Sequence, residues 1–371
     1  MNAKPGISIP PAMLPSDGRF GSGPSRIPSD AVNQLAATET SFLGTSHRKD
    51  PVKSVVGSIR EGLTALYELP DGYEVVLGLG GATAFWDVAT FGLIHEASAH
   101  FVCGEFSTKF ADGVAKAPHL QEPVVIAADP GDAPTPEPVN DVDTAAFIHN
   151  ETSTGVRAPF ARLTDAIVLV DGTSGAGAIG FNPADVDVYY FSPQKALASE
   201  GGLWVALMSR AAIDRAETIA ASGRWIPPFL SLTTAIDNSR KNQTYNTPAL
   251  ATLWLLDRQL SRLNETGGLS AAEQRSTESS NYLYTWAHES TFAAPFVQVP
   301  VLRSPTVVTI DLADDVSADA VSTVLRGNGI VDTESYRKLG RNQLRIATFP
   351  ATPLADIEAI AACIDYVVPR L

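Results

Sequence analysis

Between Asp185 and Met208 lie two short apolar, β-prone runs, Val186–Phe191 and Leu203–Met208, flanking a polar loop with a single lysine, Lys195. Runs of this length suit strands buried on both faces, and such strands commit a chain to a sheet covered by helices. The residues between them sit at a strand end, where open α/β sheets place their chemistry. Lys195 is then open to two readings. It is a solvated residue at a loop tip, as lysines usually are, or it is desolvated, loses its charge and acts as an amine nucleophile towards carbonyls.

The rest of the chain carries the pattern that such a sheet needs. Tyr73–Leu79, Ala99–Cys103, Val124–Ala127, Ala145–His149 and Ile167–Val170 read as strands, and with the two runs around Lys195 they make seven. Ala82–Ile94 and Ser107–Lys116 read as helices between them. Upstream, Val52, Val55, Val56, Ile59, Leu63 and Leu66 recur at helical spacing behind Pro51, and Pro28-Ser29 starts a helix over Asp30–Ala37 with Ser29 as N-cap. The alternation predicts an α/β domain on a mostly parallel seven-stranded sheet between helices. From Pro248 a long helix carries Leu250, Leu253, Trp254, Leu256, Leu260 and Leu263 up to Gly267-Gly268, the predicted hinge. Beyond it, helices over Ala271–His288, Ala318–Arg326 and Leu354–Tyr366 alternate with strands at Val307–Leu312 and Gln343–Ala347, the pattern of a smaller α+β domain. The 371 residues thus divide into an irregular arm (1–28), a large domain (29–266) and a small C-terminal domain (267–371).

Composition sets the outer limits. A net charge of −14 and a pI near 4.8 argue against nucleic acid as a partner. No run approaches the length of a membrane span, the N-terminus has no apolar stretch suited to a signal peptide, and a cytoplasmic protein is expected. The two cysteines, Cys103 and Cys363, fit no metal-ligand spacing, so no metal is expected.

Three features point to chemistry. Gly78-Leu-Gly-Gly-Ala-Thr83 joins the first strand to a helix, either as a plain tight turn or as a cradle in which backbone N–H groups and the helix dipole meet an anion. Asp171 leaves the strand Val168-Leu-Val-Asp171, either capping a turn or facing a cationic ring nitrogen. Lys195 follows 24 positions later. An anion cradle, a carboxylate and an amine at neighbouring strand ends are together what pyridoxal 5'-phosphate (PLP) chemistry requires.

With Phe20-Gly-Ser-Gly-Pro24, Gly44-Thr-Ser-His-Arg48, Gly80-Gly-Ala-Thr83, Asn150-Glu-Thr152, Asp171, Pro193-Gln-Lys195 and Tyr245-Asn-Thr-Pro248 in this order, the chain from about Phe20 onwards resembles the fold-type I, class V aminotransferases, in the phosphoserine aminotransferase branch. The resemblance implies that Lys195 captures the PLP aldehyde as a Schiff base and shuttles the proton, and that Asp171 pairs with the pyridinium nitrogen. It further implies that Ala82, Thr83 and Gln194 hold the cofactor phosphate, that Thr152 meets the ring hydroxyl, and that Phe106 stacks on the ring where the family often has Trp. Asn246 and Thr247 match residues lent to the partner's phosphate site in a homodimer, although Thr247 is also placed to cap a helix. His47, Arg48 and Arg345 match substrate-binding positions. Tyr336-Arg-Lys338 and Gly340-Arg341 stand where the family usually has a second His-Arg pair, which leaves Arg337, Lys338 and Arg341 open as the grip on a substrate phosphate.

The activity implied is reversible amino transfer between L-glutamate and 3-phosphohydroxypyruvate, giving O-phospho-L-serine and 2-oxoglutarate, with the related phosphorylated substrate of pyridoxine synthesis as a further acceptor. The alternatives are another class V transaminase, such as one acting on alanine or serine with glyoxylate, and a non-catalytic PLP-binding module. A cysteine desulfurase is disfavoured because Cys103 sits in a strand and Cys363 in an apolar helix.

Overall fold

The computed structural model describes residues 6–371; the first five residues of the expected arm, and with them part of the stretch read for a signal peptide, lie outside the described residues. Ten helices and the strands of two main sheets make up the fold. In chain order the helices are α1 (Ser29–Ala36), α2 (Asp50–Leu66), α3 (Gly81–Gly92), α4 (Glu105–Ala115), α5 (Arg210–Ala221), α6 (Leu232–Ser239), α7 (Leu250–Glu265), α8 (Gly268–Glu289), α9 (Ala318–Gly327) and α10 (Leu354–Val367). The strands are β1 (Glu74–Leu79), β2 (Ser98–Val102), β3 (Val124–Ala127), β4 (Thr144–Ile148), β5 (Ile167–Asp171), β6 (Val188–Phe191), β7 (Leu203–Met208), β8 (Ala293–Pro295), β9 (Val307–Leu312) and β10 (Gln343–Ala347).

The first seven strands form one sheet in the order β1-β7-β6-β5-β4-β2-β3. Only β7 runs against its neighbours: it pairs antiparallel with both β1 and β6, while the remaining pairs are parallel. Every residue of β5, β6 and β7 is buried, as expected of strands covered on both faces. One cover is α2 with α7. The six apolar residues at helical spacing on α2 are all buried, and they share a core with Leu250, Leu253, Leu256, Leu260 and Leu263 of α7. The other cover is α3, α5 and α6, packed on the opposite sheet face around Phe85, Ile213 and Ile236. A pleat explains the split, since Leu77 and Val205 go to the first core and Val76 and Ala206 to the second.

The second sheet, β8-β9-β10, is antiparallel and carries α8, α9 and α10 around a third core. The N-terminal segment belongs to that core: Ile9 and Phe20 are 2% and 1% exposed, and the Phe20 carbonyl accepts from the Ala347 N–H at 3.0 Å. No helix among the described residues is long and apolar enough to cross a membrane.

Two local expectations are corrected. Ser29 is not the N-cap of α1; Pro28 occupies that position, no side chain caps it, and the Pro28 carbonyl accepts from the N–H groups of Ala31 and Val32. The stretch from Ser209 to Arg240, to which the sequence reading assigns no element, holds α5 and α6, with Ser209 and Ser231 as their side-chain caps.

The pairing of β1 with β7 sets Gly78 opposite Trp204. A Cβ at Gly78 would lie 2.0 Å from the Trp204 ring, which is itself 3% exposed and has nowhere to go. Gly78→Ala therefore lowers the unfolding free energy by about 1–3 kcal/mol through overpacking, read from the denaturant midpoint; an unchanged midpoint contradicts this packing.

Candidate active site

Because β7 alone is reversed, the C-terminal ends of β1, β4, β5 and β6 open on one edge of the sheet, and each delivers one part of a single cavity of about 430 Å³. Ala82, Thr83, Phe106, Thr152, Asp171, Gln194, Lys195 and Arg345 all line it.

Beyond β1, Gly80 and Gly81 take φ of 108° and 79°, a left-handed pair that turns the chain straight into α3. The first-turn N–H groups of α3 have no intrahelical partners and point where an anion is favoured. Beyond β6, Ser192-Pro-Gln-Lys195 leads into a tight turn over Lys195–Ala198, in which the Ala198 N–H donates to the Lys195 carbonyl at 2.8 Å. Lys195 is 7% exposed, its Nζ donates to Thr152 Oγ1 at 2.6 Å, and it lies 5.4 Å from the Phe106 ring centroid. Burial pulls its pKa from the ordinary 10.5 down to about 8, although the nearby Asp171 carboxylate opposes this. Gly23 closes the site over it: φ is +146°, and a Cβ there would stand 2.9 Å from Lys195 Cε.

Asp171 ends β5, 5% exposed. The two roles left open for it coexist. Its Oδ1 accepts from the Thr173 N–H at 2.8 Å, which caps the turn, and the side chain still faces the cavity. Burial raises its pKa, while Thr173, Trp86 and Lys195 hold it down.

Glu151 ties two walls together. Fully buried, its carboxylate accepts from the Phe106 and Ser107 N–H groups at 3.4 and 3.1 Å, from the Ser153 N–H at 3.1 Å, and from the hydroxyls of Ser107 and Ser153 at 3.0 and 2.6 Å. It thereby caps α4, fixing Phe106 while its neighbour Thr152 reaches Lys195. From the second sheet, Arg345 donates to the Thr152 carbonyl at 3.1 Å and stacks against Tyr336 at 5.4 Å.

The other predicted residues lie outside the cavity. His47 Nδ1 and Thr247 Oγ1 are 3.1 Å apart, Arg48 donates to Gln243 at 2.9 Å, and Asn246 is exposed beside them, so these four form one surface cluster. Thr247 does not cap a helix, because α7 begins only at Leu250 behind Ala249. Arg341 forks onto Asp311 at 3.1 and 2.5 Å and lies 4.5 Å from the Phe296 centroid. Lys338 pairs with Glu105 at 2.5 Å. Arg337 is exposed next to Tyr336 and has no ion pair or hydrogen bond among the described residues. Sequence reasoning missed Trp86 and Tyr336 in the lining. Trp86 lies on α3 just beyond the glycine turn, a signal that was available; nothing local marks Tyr336.

The lining also has unmet hydrogen-bonding capacity: Ser22 Oγ, Asn150 Oδ1, Thr173 Oγ1, Gln194 Oε1 and Arg345 Nε are buried without partners. Buried polar atoms are rarely left so. A flat aromatic wall, an anion-favouring helix start, a carboxylate and a partly neutral amine fit a phosphorylated pyridine aldehyde in shape and in donor set.

The chain is similar to known proteins of one family. The model of the class V aminotransferases matches residues 138–333. A phosphoserine aminotransferase of Nocardioides sp. (strain ATCC BAA-499 / JS614) is 56% identical over 98% of this chain and 99% of its own. A putative phosphoserine aminotransferase of Mycobacterium leprae is 55% identical over 99% and 98%. In structure, the phosphoserine aminotransferase of Cytophaga hutchinsonii superposes with a TM-score of 0.87 at 23% identity, covering 95% of this chain and 99% of that one.

The depressed pKa of Lys195 has a consequence for stability. Below pH 8 the folded apo chain bears the full cost of a buried ammonium. From about 8 to 10.5 it sheds that proton before the unfolded chain does, and the cost is relieved. Lys195→Met should accordingly stabilise the apo chain by roughly 2–3 kcal/mol at neutral pH, with the gain vanishing above the upper end of that window. Chemical denaturation across the range measures it, and a pH-independent difference contradicts the assignment.

Proposed function

The chain belongs to the phosphoserine aminotransferases of class V, and on that premise we propose that it is a PLP-dependent transaminase exchanging an amino group between L-glutamate and 3-phosphohydroxypyruvate. The observation that carries the reading is the meeting of Lys195, Asp171 and the start of α3 on one buried cavity. When bound, PLP supplies an aldehyde for amino groups and a ring that stabilises negative charge at the substrate carbon. The residues around it supply the rest. The N–H groups of Ala82 and Thr83, the Thr83 hydroxyl and Gln194 would hold the phosphate, Phe106 would pack on the ring, and Thr152 would meet the ring hydroxyl. Asp171 would accept from a protonated ring nitrogen, its pKa raised by burial and held back by the Thr173 and Trp86 donors. Lys195 Nζ would move the proton between the substrate Cα and C4′ of the bound group. Arg345 grips the substrate α-carboxylate.

The substrate phosphate needs a further cation. Arg341 is committed to Asp311 and Lys338 to Glu105, whereas Arg337 is uncommitted beside Tyr336 on the cavity wall. Arg337 is therefore assigned to the phosphate. The surface cluster of His47, Arg48, Asn246 and Thr247 serves the partner's cavity in a homodimer, since its members stay together and outside their own. The same reading divides the chain at Gly267-Gly268 into a larger PLP-binding and a smaller domain.

Steady-state assays with glutamate and either 3-phosphohydroxypyruvate or glyoxylate test the substrate: turnover with the phosphorylated acceptor is expected, and preference for glyoxylate sinks the assignment. Arg337→Ala should raise KM for the phosphorylated acceptor about tenfold or more and leave KM for glutamate alone, while Arg341→Ala does neither; the reverse pattern transfers the role to Arg341. Co-expressing Lys195→Ala and Arg48→Ala chains should restore about a quarter of the wild-type activity, because half of randomly paired dimers hold one intact site of two. No restoration means that Arg48 serves its own chain.

A further inference from the structure

We propose that Trp86 is a positioning residue of this site, its indole N–H holding the Asp171 carboxylate in place and in its anionic form towards the cofactor ring. The inference rests on the PLP assignment above. Trp86 stands on α3, 7% exposed, nearly parallel to Phe110 (16° between ring planes), and borders the cavity. Its Nε1 donates to Asp171 Oδ2 at 3.1 Å, while the Thr173 N–H donates to Oδ1 at 2.8 Å. Each carboxylate oxygen is thus engaged by one group, and rotation of the carboxylate is blocked from both sides.

Both partners are obligate donors. An indole N–H or a backbone N–H cannot turn round to accept a proton from a carboxylic acid. Their preference for the anion opposes the pull of burial towards the neutral acid. The other titratable groups around the carboxylate do not substitute for them. Lys195, from the loop after β6, contributes charge without a hydrogen bond to it. Tyr190, on β6, brings its buried hydroxyl close to both Asp171 and Trp86 without a hydrogen bond of good geometry to either, and burial keeps it and Tyr189 protonated. His149 is held neutral, its pKa lowered to about 3 by burial, and contacts Tyr189 instead. The free lone pairs of Asp171 remain for a ring nitrogen that bears a proton. The start of α3 receives the phosphate and the same rigid helix carries Trp86, so one element locates both ends of the cofactor. The Phe106 ring has no N–H to offer, and the Trp86 indole brings one to the site from α3.

The test is a double-mutant cycle read as PLP affinity. Apo wild type, Trp86→Phe, Asp171→Asn and the double variant are titrated with PLP, following its absorption, with the unfolding temperature recorded for each. Trp86→Phe keeps the ring contact with Phe110 and deletes only the donor. It is expected to weaken PLP binding about tenfold in the wild-type chain and less than about twofold when Asp171→Asn is already present. Equal losses in the two backgrounds, or none in either, overturn the proposal. A wild-type chain that takes up no PLP overturns the cofactor assignment itself, and this inference with it. Should Trp86→Phe not fold, the indole N–H resonances of the wild type and Asp171→Asn decide. The chain has five tryptophans; one of their signals moves upfield on that substitution if the contact is as described, and no movement in any of them overturns it.

Discussion

The site depends on one electrostatic compromise: a lysine and an aspartate, both nearly out of water, lining one cavity. Burial alone would neutralise both, raising Asp171 and lowering Lys195. Two donor-only hydrogen bonds oppose the rise that burial imposes on Asp171, and Lys195 is brought down to about 8 by desolvation and the nearby Arg345, which Asp171 only partly offsets. The outcome is an amine drawn down towards neutral pH beside a carboxylate whose pKa burial raises and whose donors hold that rise back.

The fold makes this compromise rigid. A sheet whose one reversed strand is fully buried leaves four strand ends on one edge, and each residue there is fixed by backbone that has nowhere to move. Glu151 does the same for the wall: five accepted hydrogen bonds join α4 to the loop that carries Thr152, and Gly104 must be glycine because a Cβ would meet Glu151 Cγ at 2.5 Å. Arg345 completes the enclosure from the second sheet, so the two sheets meet at the Thr152 carbonyl.

Much of this was legible in the chain. Apolar, β-prone runs placed β3, β7, β9 and β10 to the residue, although only β7 is buried throughout. The triad of glycine turn, Asp171 and Lys195 could be read because strand ends in such sheets converge whatever lies between them. Other features depended on three-dimensional context. The helices α5 and α6 lack the strong apolar stripe of α2, since they bury small faces against α3. Thr247 looks like a cap by spacing, yet its hydroxyl is turned to His47, 200 positions away in sequence. Arg337, Lys338 and Arg341 are chemically alike in sequence, and only their acidic partners tell them apart.

The protonation of Lys195 is the most direct test of the account. Lysine side chains labelled with carbon-13 at Cε, with Lys195→Met for assignment, give its titration in the apo protein by NMR. A midpoint near 8 is predicted; a midpoint at the ordinary 10.5 would show a solvated lysine and contradict the account at its centre.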